Sequence, residues 1–182
     1  MKMRCSSSLH GSALPPVVGD IRPTVIHVKR THDMQVVKQI MEHPRIWPHI
    51  HEDGITEASP VDVEGIHWVL VSNPDPVGLF MAHARSKHCY EMHTCLTPAV
   101  WGESGNDAAQ LFLLYMFTKT DCQKIVTNVP EYNKAALRFA LRNGMRHEGN
   151  NRASYLKNGV LIDQYMLGIT LKEFESCQQQ SQ

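Results

Sequence analysis

Apolar and polar residues alternate in short strand-like runs through most of this chain, and the spacing turns helical in three places. Thr24–Lys29 is rich in β-branched residues and predicts a first strand. Thr31, His32 and Asp33 offer caps for a helix through about Met41, with Met34, Val37 and Met41 on one face. Pro44 and Pro48 then interrupt regular structure, so Trp47–Gly54 reads as a loop. Trp68–Ser72, Val77–Ala84 and Cys89–Thr97 form three successive strands. The turn sequence Asn73–Pro76 and the polar step Arg85–His88 join them into an antiparallel meander.

The second half switches period twice. Ala108, Leu111, Phe112 and Tyr115 share one face of a helix reaching about Lys119, with Ser104-x-x-Asp107 or Asn106 as its cap. Lys124–Val129 is the next strand and Asn133–Arg142 the next helix, stopped by Asn143-Gly144. Arg152–Lys157 and Val160–Met166 flank Asn158-Gly159, a strong hairpin signal. The expected division is a flexible N-terminal tail over 1–21, one domain over 22–170 and a polar, Gln-rich, disordered tail over 171–182. The fold class is α/β, with a mixed, mostly antiparallel central sheet flanked by helices.

Composition narrows the function classes. At 182 residues the chain suits one domain with a substantial core. Lys plus Arg equals Asp plus Glu at 18 each, so no basic excess points to nucleic acid. No apolar run reaches the length of a membrane span, and Met1–Asp20 lacks the apolar segment of a signal peptide. Five widely spaced cysteines with no Cys-x-x-Cys pair fit a reducing compartment. The expected location is therefore cytoplasmic. Between a strand and a helix, Trp101-Gly102-Glu103-Ser104-Gly105-Asn106 makes a glycine-flanked turn that offers backbone N–H groups to a phosphate.

The element order, with Leu96-Thr97-Pro98, Gly102-Glu103-Ser104, Asn133-x-x-Ala136, Gly144-Met145 and the Asn158-Gly159 hairpin, resembles the GCN5-related N-acetyltransferase superfamily. It is most similar to the subgroup that acts on ribosomal-protein N-termini, and its compact form also resembles acetyltransferase-like proteins encoded by bacteriophages. The resemblance implies acetyl-CoA as co-substrate. Leu96, Thr97 and Pro98 would pair with the pantetheine arm, Trp101, Gly102, Glu103, Ser104, Gly105 and Asn106 would cradle the pyrophosphate, and Asn133 would contact the cofactor. The family's turn begins with Arg or Gln and carries Gly and Gly or Ala further on. Here those positions hold Trp101, Ser104 and Asn106, and Glu103 and Asp107 add two carboxylates. Ala140 stands where many members carry a Tyr general acid.

Acetyl transfer to an amine requires a proton acceptor. Period-two alternation puts Cys89, Glu91, His93 and Cys95 on one face of their strand. The resemblance places a glutamate base on this strand in some members, so Glu91 and His93 are the catalytic candidates. Cys95 reads as a buried hydrophobe rather than a nucleophile, and Tyr132 and Tyr155 as packing residues rather than general acids. His43, His49, His51 and Glu52 have too loose a spacing for zinc, so no metal is expected, and their loop with Trp47 reads as the acceptor-pocket wall. Arg138, Arg142 and Arg146 read as a solvated face. The function expected is direct acetyl transfer from acetyl-CoA to an amine: a protein N-terminus, a lysine or a small amine. The rival is a catalytically inactive structural or assembly protein of the same fold, with a homo-oligomer or a phage particle as its partner.

Overall fold

The structure, a computed structural model, describes residues 25–180. The tail expected over 1–21, and Thr24 of the first expected strand, lie outside them. In chain order the elements are β1 His27–Arg30, α1 Met34–Met41, α2 Trp47–Ile50, β2 Ile66–Asn73, β3 Asp75–Ser86 and β4 Cys89–Leu96. A single 3₁₀ turn at Pro98–Val100 leads to α3 Glu103–Lys119. Then come β5 Lys124–Pro130, α4 Lys134–Arg142, β6 Arg146–Lys157, β7 Val160–Thr170 and α5 Leu171–Gln180. The strands form one seven-stranded sheet in the order β1-β2-β3-β4-β5-β7-β6. Every neighbouring pair is antiparallel except β4 and β5, which run parallel.

Local chemistry sets most element ends. Asp33 caps α1 by accepting from the Gln35 and Val36 N–H groups at 3.0 and 3.2 Å. Asn158 and Gly159 both take positive φ, as a two-residue hairpin turn requires. Four expectations shift, the simplest being that β6 starts at Arg146 rather than at Arg152. The segment after Pro44 forms the short helix α2, because Pro48 falls in a first turn, where its missing N–H costs nothing. Helix α3 starts at Glu103 rather than after Asn106, with Gly102 at φ +87° in the cap position. Over Leu171–Gln180 the chain is helical rather than a tail. Thr170 and Glu173 form a reciprocal capping box, the Thr170 N–H reaching the Glu173 carboxylate at 2.9 Å and the Glu173 N–H reaching the Thr170 Oγ1 at 3.3 Å. Phe174 is buried and its ring lies 5.4 Å from that of Phe117.

Both faces of the sheet are covered. Val69, Val71, Phe80, Met92 and Ile125 pack with Phe112 and Met116 of α3, and the Phe80 and Phe112 rings stack at 4.7 Å. On the other face Val37 and Ile40 of α1 pack with Trp68, Leu79 and Cys95. Burying a Phe or Leu side chain contributes about 1.5–3 kcal/mol, so these two layers hold the sheet flat against its helices. Strand β4 is therefore fixed in rotation: Met92 belongs to the α3 layer and Cys95 to the α1 layer. Glu91 and His93 consequently share the α1 face.

Candidate functional site

The one parallel pair in the sheet is also the one that fails to close. Strands β4 and β5 register only as Cys89 with Lys124, Tyr90 with Ile125 and Glu91 with Val126, and then diverge. The wedge opens into a cavity of about 890 Å³, within the range of small-molecule and cofactor sites. Met92, His93, Thr94 and Leu96 line one wall, and Thr127, Asn128, Val129 and Pro130 the other. From Glu91 to Leu96 the β4 wall is about 17 Å long at the usual strand rise.

Hydrogen-bond alternation decides which backbone groups face the wedge. The Thr97 N–H bonds to the Val77 carbonyl at 3.1 Å. Counting back along an antiparallel pair, Cys95 and His93 exchange bonds with β3, while Thr94 and Leu96 turn their N–H and C=O groups toward the cleft. Of the expected pairing stretch Leu96–Pro98, only Leu96 has its main-chain groups turned to the cleft. Thr97 spends both its N–H and its hydroxyl on Val77, and the Leu96 carbonyl accepts from the Trp101 indole at 3.0 Å. Neither Thr97 nor Pro98 lines the cavity.

The outer end of the cleft is made by the turn before α3. Trp101, Gly102 and Gly105 line it; Glu103, Ser104 and Asn106 do not. The Asn106 N–H is already bonded to the Gly102 carbonyl at 3.2 Å, and the Asn106 side chain accepts from Asn143. Its role is to hold α3 to α4. Gly105 is needed because a Cβ there would sit 2.6 Å from the Val100 carbonyl oxygen. With Glu103 and Asp107 exposed and outside the cavity, the two carboxylates flank the first turn of α3 rather than face a ligand. Arg45 of the α1–α2 connection lies 5.3 Å from the Trp101 ring, and Arg138 and Arg142 of α4 line the same end. Arg146 instead pairs with Glu173 at 3.1 Å. Asn133 caps α4 by accepting from the Ala136 N–H at 3.0 Å and also lines the cleft, as does buried Ala140.

The inner end is polar. Glu91, at the last paired position, accepts from Asn128 Nδ2 at 2.8 Å and lies 3.3 Å from the Arg85 guanidinium. His83 and His93 each approach its carboxylate at 3.9 Å, and their rings stack at 5.4 Å. Desolvation in the wedge pushes the His93 imidazole below its ordinary range; the Glu91 carboxylate opposes this and His83 adds to it. This favours the neutral form of the His93 imidazole, although its side chain is still 45% exposed. Cys95, one turn of the pleat away, is buried on the α1 side and burial pushes its thiol up to about 12, which leaves it inert.

A latch closes the side opposite α4. The Asp53 N–H bonds to the Leu156 carbonyl at 3.1 Å, the Gly159 N–H to the Asp53 carboxylate at 2.7 Å, and the Tyr155 hydroxyl to the His51 carbonyl at 2.7 Å. Trp47, His49, His51 and Glu52 line the cavity from this loop, with the Trp47 and His51 rings stacked at 4.6 Å. Burial raises the Tyr155 phenol well above its usual range. Among the described residues no group of three or more His, Cys, Asp or Glu side chains is placed to hold a metal ion. Sequence reasoning missed His83, Arg85 and Asn128. They enter the site only through strand pairing, so no local motif marks them.

A sheet split at its parallel pair, with a helix N-terminus at the wide end, is the fold of the GCN5-related N-acetyltransferases. Solved structures agree. A spermidine N-acetyltransferase from Vibrio cholerae, crystallised with CoA and spermine, superposes with a TM-score of 0.68 at 14% identity, over 82% of this chain and 98% of that one. A GNAT-family acetyltransferase from Streptococcus pneumoniae gives 0.64 at 13% identity, over 81% and 100%. No protein-family profile matches the sequence, and no curated protein matches it significantly. At these identities the likeness establishes the fold.

Proposed function

We propose that this protein transfers an acetyl group from acetyl-CoA to an amine by direct attack within a ternary complex. The observation that carries the reading is the wedge between β4 and β5: strand-edge N–H groups of Thr94 and Leu96 turned to the cleft, a glycine turn at one end and His93 at the other. The cofactor's phosphates would lie at Gly102–Gly105 with Arg45, Arg138 and Arg142, and its arm would run inward along β4. An incoming ammonium gives one proton to His93, and the free amine attacks the thioester carbonyl. The C–N bond forms, the C–S bond breaks, the nitrogen loses its second proton to solvent, and the thiolate is protonated by water. Glu91 would orient the base.

The cavity wall carries Glu52, Glu57 and Glu91, but the Glu57 carboxylate is held by Lys38 at 2.7 Å, that of Glu52 by the Leu156 N–H at 3.2 Å, and that of Glu91 by Asn128 at 2.8 Å and Arg85 at 3.3 Å. Facing Arg45, Arg138 and Arg142, they make no acidic groove for a polycation, so a single amine on a protein N-terminus, a lysine or a small molecule suits the site better than a polyamine. The subgroup acting on ribosomal-protein N-termini, a phage origin and a cytoplasmic location belong to the same proposal; among the described residues no helix is long and apolar enough to cross a membrane. Ala140 and Trp101 favour the second reading, an inactive assembly protein of this fold, because the cleft has lost one hydroxyl and one basic side chain. Isothermal titration with acetyl-CoA and with CoA decides between them. Micromolar binding of both is expected. No heat and no thermal stabilisation at millimolar ligand overturns the enzymatic reading.

A further inference from the structure

We infer that Asn128, fixed by Glu91, is the seat of the acceptor's primary amine. Among the described residues the Asn128 Oδ1 atom is buried and has no hydrogen-bond partner, although its residue lines the cavity. A buried acceptor left unpaired is costly, and it points to a donor that arrives with a ligand. The amide cannot rotate to relieve the fault. Turning it over would set its oxygen against the Glu91 carboxylate, which now receives the Nδ2 hydrogen at 2.8 Å. Glu91 in turn is anchored by Arg85 at 3.3 Å. Position in the strands matters as much: Asn128 lies two residues beyond Val126, the last β5 residue paired with β4, so the orphaned oxygen sits where the wedge begins to open.

The chemistry of this corner selects among N–H donors. Asn128 Oδ1 and the Glu91 carboxylate are neighbouring acceptors, and His93 is a neutral ring 3.9 Å from that carboxylate. A primary amine carries enough hydrogens to reach Oδ1 and still deliver one to His93. A secondary amide has one hydrogen and no charge to match the carboxylate. Asn128 is thus a specificity-determining residue that holds the nucleophile's N–H and leaves its lone pair free for the thioester.

This inference rests on the acetyl-CoA reading, and the test separates the two. Two CoA thioethers differing only at the tip serve as probes: S-carbamoylmethyl-CoA ends in an –NH₂, S-acetonyl-CoA in a methyl. The wild-type protein should bind the amide at least about tenfold more tightly, the effect of one satisfied buried acceptor. Asn128→Ala should bind both probes with equal affinity, close to that of S-acetonyl-CoA for the wild type. Equal binding of the two by the wild type, or a preference that survives in Asn128→Ala, overturns the inference while leaving the cofactor site standing. Binding of neither probe removes both. The wild-type comparison decides the matter even if the variant does not fold.

Discussion

The two ends of the wedge are built by different means. At the outer end, Gly102 supplies a φ of +87°, Gly105 lets the Val100 carbonyl come close, Trp101 is 52% exposed, and no side chain caps α3. At the inner end, Glu91, Asn128, Arg85, His83 and His93 form one network of side chains, with the Glu91 carboxylate only 12% exposed. A backbone cradle tolerates changes of side chain so long as its φ angles survive, which explains how the turn accommodates Trp101 and Ser104 in place of other residues. A side-chain network has no such slack: each member orients the next. Damage to the inner end should therefore appear in turnover, and damage to the outer end in cofactor affinity.

The largest effect expected is at His93. Replacing it with Gln should lower kcat about 100-fold, the usual contribution of a general base, with CoA affinity unchanged. The pH profile gives an independent readout. The His93 pKa is lowered by desolvation, and under the proposed mechanism its neutral form is the active one. Activity should thus be full above the ordinary histidine value of about 6.5 and be lost as pH falls through the depressed pKa, with that acid limb missing from His93→Gln. A mutant that loses CoA affinity instead of turnover breaks the division between the two ends.

Gly102→Asp probes the outer end. A φ of +87° is strained for any L side chain, and the new carboxylate would face the expected diphosphate. CoA affinity should fall at least about tenfold, measured by titration, while kcat at saturation stays near wild type. A fall in kcat with unchanged affinity would place the phosphates elsewhere.

Most of the fold was legible because its elements advertised themselves locally. Alternation marked β2 through β4, Asp33 marked the start of α1, and Asn158-Gly159 marked the last hairpin. That Glu91 and His93 share one face was legible too, since alternation alone puts them there. Asn128 was not. Its meaning comes from the Glu91–Val126 register, a pairing across 35 residues that no window of sequence contains. Hydrogen-bond alternation between β3 and β4 likewise explains why Thr94 and Leu96, and not Thr97, turn their main-chain groups to the wedge. By contrast, α5 could have been read: Thr170-x-x-Glu173 is a capping box ahead of Phe174, overshadowed by the Gln-rich composition that follows.

Asn133 sharpens the comparison most finely, because it belongs to both kinds of recognition. Its Oδ1 caps α4 by accepting from the Ala136 N–H at 3.0 Å, which leaves its Nδ2 hydrogens for a ligand in the cleft. Asn133→Ala removes both functions, whereas Asn133→Ser keeps a capping oxygen and removes the amide. Stability should drop by about 1 kcal/mol in the alanine variant and by only a few tenths in the serine variant, read as shifts in denaturant midpoint at constant slope. If the amide touches the cofactor, both variants should lose the same few-fold in CoA affinity despite their different stabilities. Affinity that instead follows stability, falling in Asn133→Ala and holding in Asn133→Ser, would mean that Asn133 acts on the cofactor only by keeping the first turn of α4 in place.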